Sequence, residues 1–587
     1  MDASGNDEGE IQLTITDQEM AQELPSKRRW WLIVAGLVIV FAGAFLAQLV
    51  RTTDGTTVRD IRFTGTNGTV MTALLYVPKN ATPSTPAPGI LAVHGYINSR
   101  ETQDGFAIEF ARRGYVVLSL DQTGHGYSGG AAFSNGFGGP DGLKYLRSLP
   151  MVDTNQIGLE GHSMGGWAVL AAAAAMPDAY SSMVLEGSST GAPFAQEGST
   201  TWPRNLALVF SRYDEFSKIM WGVDRAQDLP ASEKLQAVFG TNAPVAEKRL
   251  YGAVEEGTAR KLYQPNTTHP GDHFSAAAIG NATEWFAITL DGGTPRPVSD
   301  QIWYWKEVGT GIGLVGFVMI MLGVFDALVR LPLFASMRVE AIAAADHRDR
   351  RWWRAFAVNT ALPALLFFPT FIAAFLLLPA SSLLPQAVTT QITLWAVVGA
   401  GISLLIGRLM RRPADTHQSD WTKSILLAAV TVAAGYGALL LVDQLFLTDF
   451  RLWVVAVKLP NLRQLGIAAI YFLPITFAFL VMTRSLSSAT VRSDTGRFQY
   501  LAAILMLTTG FIVMLSVIYG LFFMTGSLVT AFDPLSTVIA LQFVPVLTAV
   551  AIIGIFTWQR TGSYRPGGLV AGMLVTLYVV AGTATQV

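Results

Sequence analysis

The 587-residue chain contains no cysteine. Disulfides, thiolate metal sites and cysteine nucleophiles are excluded together. Charge is also scarce: Asp, Glu, Lys and Arg make up 14% of the residues, against about 25% in an ordinary soluble domain. The formal net charge of −1 speaks against nucleic acid as a partner and against an acidic effector tract. No internal repeat and no His/Asp/Glu cluster with metal-ligand spacing is present, so neither metal nor cofactor is expected. What is abundant is apolar: 51% of the residues are hydrophobic, more than one soluble core requires, and much of the chain is expected to face lipid.

Residues 1–29 are polar and mostly acidic up to Lys27, Arg28 and Arg29, and read as a tail. Residues 30–50 follow without a charge, long enough for a helix to cross a hydrocarbon core of roughly 30 Å. The basic residues before them place the N-terminus in the cytoplasm. The competing reading is a signal peptide cleaved near Ala42-Gly43-Ala44, but the apolar run is longer than a usual signal core. Residues 51–300 alternate β-rich runs, glycine turns and helical stretches. That alternation predicts a mostly parallel sheet with helices on both faces.

From 301 to 587 the chain is apolar again. Helices are expected near 309–332, 355–380, 388–410, 424–446, 464–483, 499–524, 538–558 and 567–586, about nine in total with the first. Arg330, Arg338, Arg348, Arg350, Arg351 and Arg354 share one loop. Arg408, Arg411, Arg412 and Lys423 come two helices later, then Arg484, Arg492 and Arg497, then Arg560 and Arg565. This alternation puts the basic loops inside a cell membrane and the 51–300 domain on its outer side. The loop near 447–463 breaks the rule with Arg451, Lys458 and Arg463, and its Trp453-Val-Val-Ala-Val run suggests an interfacial segment. Asp326 and Asp443 lie near helix ends, so the spans carry too few charges for a charge-driven transporter. Pro363 and Pro369 are expected to kink the third helix. Asn-X-Ser/Thr triplets at Asn67, Asn80, Asn266 and Asn281 read as coincidence.

The strongest chemical signal is Gly161-His162-Ser163-Met164-Gly165, a G-x-S-x-G elbow. It follows the strand-like Ile157-Gly-Leu-Glu and precedes a helix-like alanine run, the strand–turn–helix context the motif requires. The glycines are needed because the serine sits in a strained turn with close backbone packing. Upstream, Gly89-Ile-Leu-Ala-Val-His94-Gly95-Tyr96 is an apolar strand entering a His-Gly turn. The backbone amides of Tyr96 and Met164 are the expected oxyanion donors, and His94 reads as a loop-shaping residue.

The run Gly114-Tyr-Val-Val-Leu-Ser-Leu-Asp121-Gln-Thr-Gly124-His125-Gly126-Tyr-Ser128 resembles the α/β-hydrolase superfamily. The segment Val152-Asp153-Thr-Asn-Gln-Ile157-Gly is similar to its dienelactone-hydrolase and prolyl-oligopeptidase-like branch. The resemblance covers roughly residues 55–290 and implies an α/β-hydrolase fold joined to an all-α membrane domain. Asp121, His125 and Asp153 read as turn-formers. The family's chain order, serine then acid then histidine, implies an acid after a late strand. Asp214, at the end of Leu206-Ala-Leu-Val-Phe-Ser-Arg-Tyr-Asp214-Glu215, fits it, with Glu215 and Glu186 as alternatives. Of the five domain histidines, His94, His125 and His162 belong to motifs already assigned. The base is then His269 or His273, with His269 preferred for its distance from the last strand.

These residues imply a membrane-embedded serine hydrolase acting through an acyl-enzyme on an ester, thioester or amide of a small-molecule or lipid acyl substrate. Two alternatives stay open: an acyltransferase using the same triad, and a transporter or receptor whose degenerate hydrolase domain binds a ligand. Residues 216–258 form an insertion in which Phe216, Ile219, Met220, Trp221 and Val223 cluster, either as ordinary packing or as a lid dipping toward lipid.

Overall fold

The computed structural model describes residues 30–409, 418–487, 489–494 and 496–587. The tail over 1–29 with its basic end, and Arg411 and Arg412, lie outside the described residues.

Helix α1 (Trp31–Arg51) leads into an eight-stranded sheet of β1 (Thr57–Thr64), β2 (Val70–Val77), β3 (Ala87–Val93), β4 (Val116–Leu120), β5 (Val152–His162), β6 (Ser182–Glu186), β7 (Leu206–Val209) and β8 (Arg260–Tyr263). The strand order is β1-β2-β4-β3-β5-β6-β7-β8. Only β2 runs antiparallel to its neighbours. The strands are apolar on both faces because both faces are covered. Leu91, Val93 and Leu118 point into a core with α3 (Gly139–Ser148) and α4 (Met164–Ala175). Ile90, Ala92 and Val117 point the other way, into a core with α2 (Asp104–Arg112) and α7 (Ala276–Thr289). Between β7 and β8 lie two short helices, α5 (Ser217–Trp221) and α6 (Glu233–Phe239).

The rest of the chain is helical: α8 (Trp303–Val329), α9 (Arg350–Leu377), α10 (Ala387–Leu409), α11 (Trp421–Phe446), α12 (Leu462–Ser487), α13 (Gly496–Thr525), α14 (Pro534–Thr561) and α15 (Arg565–Ala581). Among the described residues, α1 and α8 to α14 make eight helices long and apolar enough to cross a membrane, while α15 has 17 residues. Aspartates start three of them: the side chains of Asp349, Asp420 and Asp533 accept first-turn amides of α9, α11 and α14, satisfying donors the helix cannot. Pro363 and Pro369 lie within the continuous α9.

Helix α1 is seated on α8 through glycines. A Cβ on Gly43 would stand 2.4 Å from the Gly309 carbonyl oxygen, and one on Gly309 would stand 2.5 Å from that of Gly43. Small residues let two backbones approach this closely. Helix α8 starts at Trp303, earlier than composition suggested, because Lys306 and Glu307 are helical charges buried against the sheet domain. Lys306 Nζ lies 2.9 Å from both Asp104 and Glu307 carboxylates. Arg51, closing α1, donates to the carbonyls of Phe446 and Leu447 and to the Tyr76 hydroxyl.

The misfit loop also has a physical explanation. It folds into a small hairpin of β9 (Phe450–Leu452) and β10 (Val455–Val457). Arg451 donates to Ser99 and Thr102, and Lys458 Nζ lies 3.4 Å from Glu101. Its cations are thus matched by groups on the sheet domain, so the loop lies on that domain's side. Trp453 turns the hairpin at φ +52° and donates its indole N–H to the Pro270 carbonyl at 2.9 Å. That bond ties the hairpin to the sheet domain, while Trp453 stays 38% exposed. The other basic loops meet one another: Arg560 and Arg330 bind Asp326, Arg348 binds Asp494, and Arg565 donates to Ser419. The final helix ends before the expected 586. Residues 582–587 instead cross to the sheet domain, where the Thr585 amide donates to the Gly124 carbonyl at 2.8 Å.

Candidate active site

The C-terminal ends of parallel strands carry the candidate residues, as open α/β sheets favour. Ser163 follows β5 and opens α4, Asp214 follows β7, His269 follows β8 and Tyr96 follows β3. Ser163 has φ +54° and ψ −122°, a strained conformation for a side-chain-bearing residue. The flanking glycines make it possible. A Cβ on Gly161 would lie 2.3 Å from the Gly165 carbonyl oxygen, and one on Gly165 would lie 2.0 Å from that of Val93. Any larger residue would push the turn off the sheet.

His269 Nδ1–H donates to Asp214 Oδ2 at 2.9 Å. Asp214 Oδ1 accepts the Phe216 amide at 2.8 Å, and the Phe216 ring packs 4.4 Å from the imidazole. The His269 backbone amide donates to Glu215 Oε2 at 2.8 Å. The two adjacent carboxylates therefore hold different atoms of one histidine: Asp214 the ring, Glu215 the backbone. A Cβ on Gly187 would fall 2.8 Å from His269 Nδ1, so the ring fits only because that position is glycine. Glu186, the other weighed acid, is buried at the end of β6 and has no hydrogen-bond partner for its side chain among the described residues.

His273 is not on the acid. Its ring packs 4.2 Å from that of His162 and edge-on to Phe106, and neither ring nitrogen has a hydrogen-bond partner among the described residues. His162 Nε2–H donates to the His269 carbonyl at 3.1 Å and braces that loop. His94 accepts the Gln122 amide, His125 bonds the Thr123 carbonyl, and Asp121 gathers the Arg100 and Tyr127 amides. Asp153 accepts the Asn155 amide at the exposed start of β5, inside the strand.

Burial disfavours charge here. It lowers His269 to about 4, with Asp272 opposing, so the imidazole is neutral at pH 7 and able to accept a proton. Burial pushes Asp214 well above the usual carboxylate range, and nearby Asp272 adds to it. Glu215 is pushed up to about 8, first by burial and then by Asp214, with the Tyr519 hydroxyl opposing.

Ser163, His269, Tyr96 and Met164 line one cavity of about 520 Å³. Met164 opens α4, whose first-turn amides have no intrahelical acceptor. Phe216, Ile219 and Met220 of the insertion line the cavity, while Trp221 is buried and donates to the Ser188 carbonyl. The insertion is thus both wall and core. Much of the remaining wall comes from the long apolar helices after residue 301, including Val388, Ile539, Phe543 and Val575. Reading the sequence missed these residues, along with Tyr519. No local pattern marks them, because their partners lie hundreds of positions away.

A family model described as serine aminopeptidase, S33, matches residues 84–214. The chain carries an α/β-hydrolase fold. It is 34% identical over 122 residues to a monoacylglycerol lipase of Mycolicibacterium smegmatis, a match covering 19% of this chain and 41% of the relative. The chain thus spans about two fifths of that curated relative's length. Among solved structures, a hypothetical protein of Pseudomonas aeruginosa is 26% identical with a TM-score of 0.21, covering 22% of this chain and 43% of that one. An esterase of Pyrococcus furiosus is 17% identical with a TM-score of 0.27, covering 40% and 90%.

Proposed function

We propose that this chain is a membrane-embedded serine hydrolase that cleaves an ester of an acyl substrate through an acyl-enzyme on Ser163. The observation that carries the reading is the hydrogen bond from His269 Nδ1 to Asp214 beside the strained Ser163, over one shared cavity. Ser163 Oγ attacks the carbonyl carbon while His269 Nε2 takes its proton. Asp214 fixes the tautomer and steadies the imidazolium that forms. The Tyr96 and Met164 amides hold the oxyanion. His269 then protonates the leaving alcohol, and water activated by the same histidine releases the acid. This chemistry requires no cofactor. The similarity to a monoacylglycerol lipase and the apolar wall support an ester substrate over an amide.

The proposal extends to placement. Residues 51–300 form the hydrolase domain on the outer face of a cell membrane, with 1–29 a cytoplasmic tail, 30–50 the first span and 301–587 the polytopic part. The support is the clustering of the basic helix ends on the side away from the sheet. The test is hydrolysis of p-nitrophenyl butanoate by the full-length protein, with intact-mass detection of the acyl-enzyme. Wild type is expected to gain one acyl group, and Ser163→Ala to lose roughly 10³-fold or more of the activity. Turnover retained in Ser163→Ala would overturn the reading.

A further inference from the structure

The cavity does not end at the catalytic loops. Leu535, Val538, Ile539, Gln542, Phe543 and Val546 of α14 all line it. These positions are i, i+3, i+4, i+7, i+8 and i+11, one continuous face of a helix. At 1.5 Å per residue that face extends roughly 16 Å, about half of a hydrocarbon core. Its shallow end lies on the hydrolase side, because α14 starts just after residues 526–533, where Ser527 pairs with Arg225 of the sheet domain. Opposite stand Val575 and Val579 of α15. Between these two helices the Tyr578 hydroxyl donates to Gln542 Oε1 at 2.6 Å.

We infer that this intramembrane face is the acyl-chain chamber of the enzyme, and that the substrate is a lipid ester whose single long acyl chain lies between α14 and α15 while its carbonyl sits at Ser163. This rests on the proposed hydrolase reading and deepens it. An extended chain over 16 Å corresponds to roughly a dozen carbons. The membrane helices then do more than anchor the domain: they form half of the substrate site. A water-soluble headgroup would have no use for an apolar slot at this depth, whereas an acyl chain matches its shape and chemistry.

Two measurements test the inference separately from the hydrolase reading. In the first, kcat/KM is measured for monomeric p-nitrophenyl esters from butanoyl to dodecanoyl. Wild type should gain up to roughly fourfold per added methylene while the chain fills the chamber. Val546→Trp, at the deep end, should lower the dodecanoyl-to-butanoyl ratio at least tenfold. Val538→Trp, nearer the mouth, should move the drop to shorter chains. A ratio unchanged in both variants would overturn the chamber. In the second, a diazirine-bearing palmitic acid is photo-crosslinked to Ser163→Ala in detergent, which requires no catalysis. Peptides from 535–546 or 575–583 should carry the label, and dodecanoic acid should compete it away. Labelling confined to other helices would overturn the chamber even if Ser163 proved to be the nucleophile.

Discussion

The Tyr519 hydroxyl on the apolar helix α13 donates to Glu215 Oε1 at 2.8 Å, and Glu215 in turn holds the backbone of the proposed base, His269. A long apolar helix outside the sheet domain thus reaches the loop on which the chemistry would depend. Removing the hydroxyl leaves a buried carboxyl one partner short, at about 1 kcal/mol or somewhat more. Tyr519→Phe is therefore expected to lower kcat about fivefold while leaving KM for a short ester little changed. Glu215→Gln, whose amide oxygen can still accept the His269 N–H while its NH2 donates to the Tyr519 oxygen, should lose less. Steady-state kinetics in detergent on the two variants checks both.

The neutral state of His269 sets the acid limb of the rate. A free imidazole titrates near 6.5, whereas this one is held at about 4 by burial. Activity is expected to persist to pH 5 and fall only as His269 gains a proton near pH 4, where it can no longer accept one from Ser163. Between pH 6.5 and 4 the unfolded chain binds more protons at this site than the folded one, so stability also falls as pH drops through that window. A pH–rate profile of kcat/KM, with melting followed over the same range, measures both limbs.

At the joint between domain and bundle, Glu101 faces Lys458, Arg100 and Arg451. Burial opposes its ionisation, but these cations outweigh it and hold the carboxyl well below its usual range. Glu101→Gln takes the carboxylate from buried Lys458, while Arg100 keeps Asp60 and Asp121 and Arg451 keeps Asp449. Breaking such a pair costs about 3–5 kcal/mol. The expected result is a clearly lowered melting temperature in detergent and easier proteolysis between the sheet domain and α11.

The α1–α8 seam gives a steric prediction. Gly43→Leu or Gly309→Leu would drive a side chain into the facing backbone, with little folded protein recovered. Gly437→Ala, where a Cβ meets nothing within 4 Å, should be tolerated or slightly stabilising, since alanine is the better helix former by about 1 kcal/mol. Size-exclusion yield separates the two outcomes.

These relationships show what a sequence can disclose about this chain. The elbow around Ser163 was legible because its glycines and its strand–turn–helix setting are local. Asp214 and the pair His269 and His273 could be singled out because they follow apolar strands at short range. The long apolar helices were legible from apolar length alone, although Lys306 and Glu307 hid the true start of α8 by being charged and helical at once. His269 and His273 could not be separated from residues alone: four positions apart, only the fold decides which ring meets Asp214. The cavity wall was wholly illegible. A valine of α14 that faces Ser163 looks like any lipid-facing valine, and Arg451 looked like a topology violation until Ser99, Thr102 and Glu101 appeared beside it.

The most direct test of the central claim is fluorophosphonate labelling of the purified full-length protein, compared among wild type, Ser163→Ala, His269→Ala and His273→Ala. The account predicts rapid labelling of wild type, none in Ser163→Ala, labelling slowed by roughly 10³-fold or more in His269→Ala, and labelling within about tenfold of wild type in His273→Ala. Persistent labelling of His269→Ala together with its loss in His273→Ala would contradict the account.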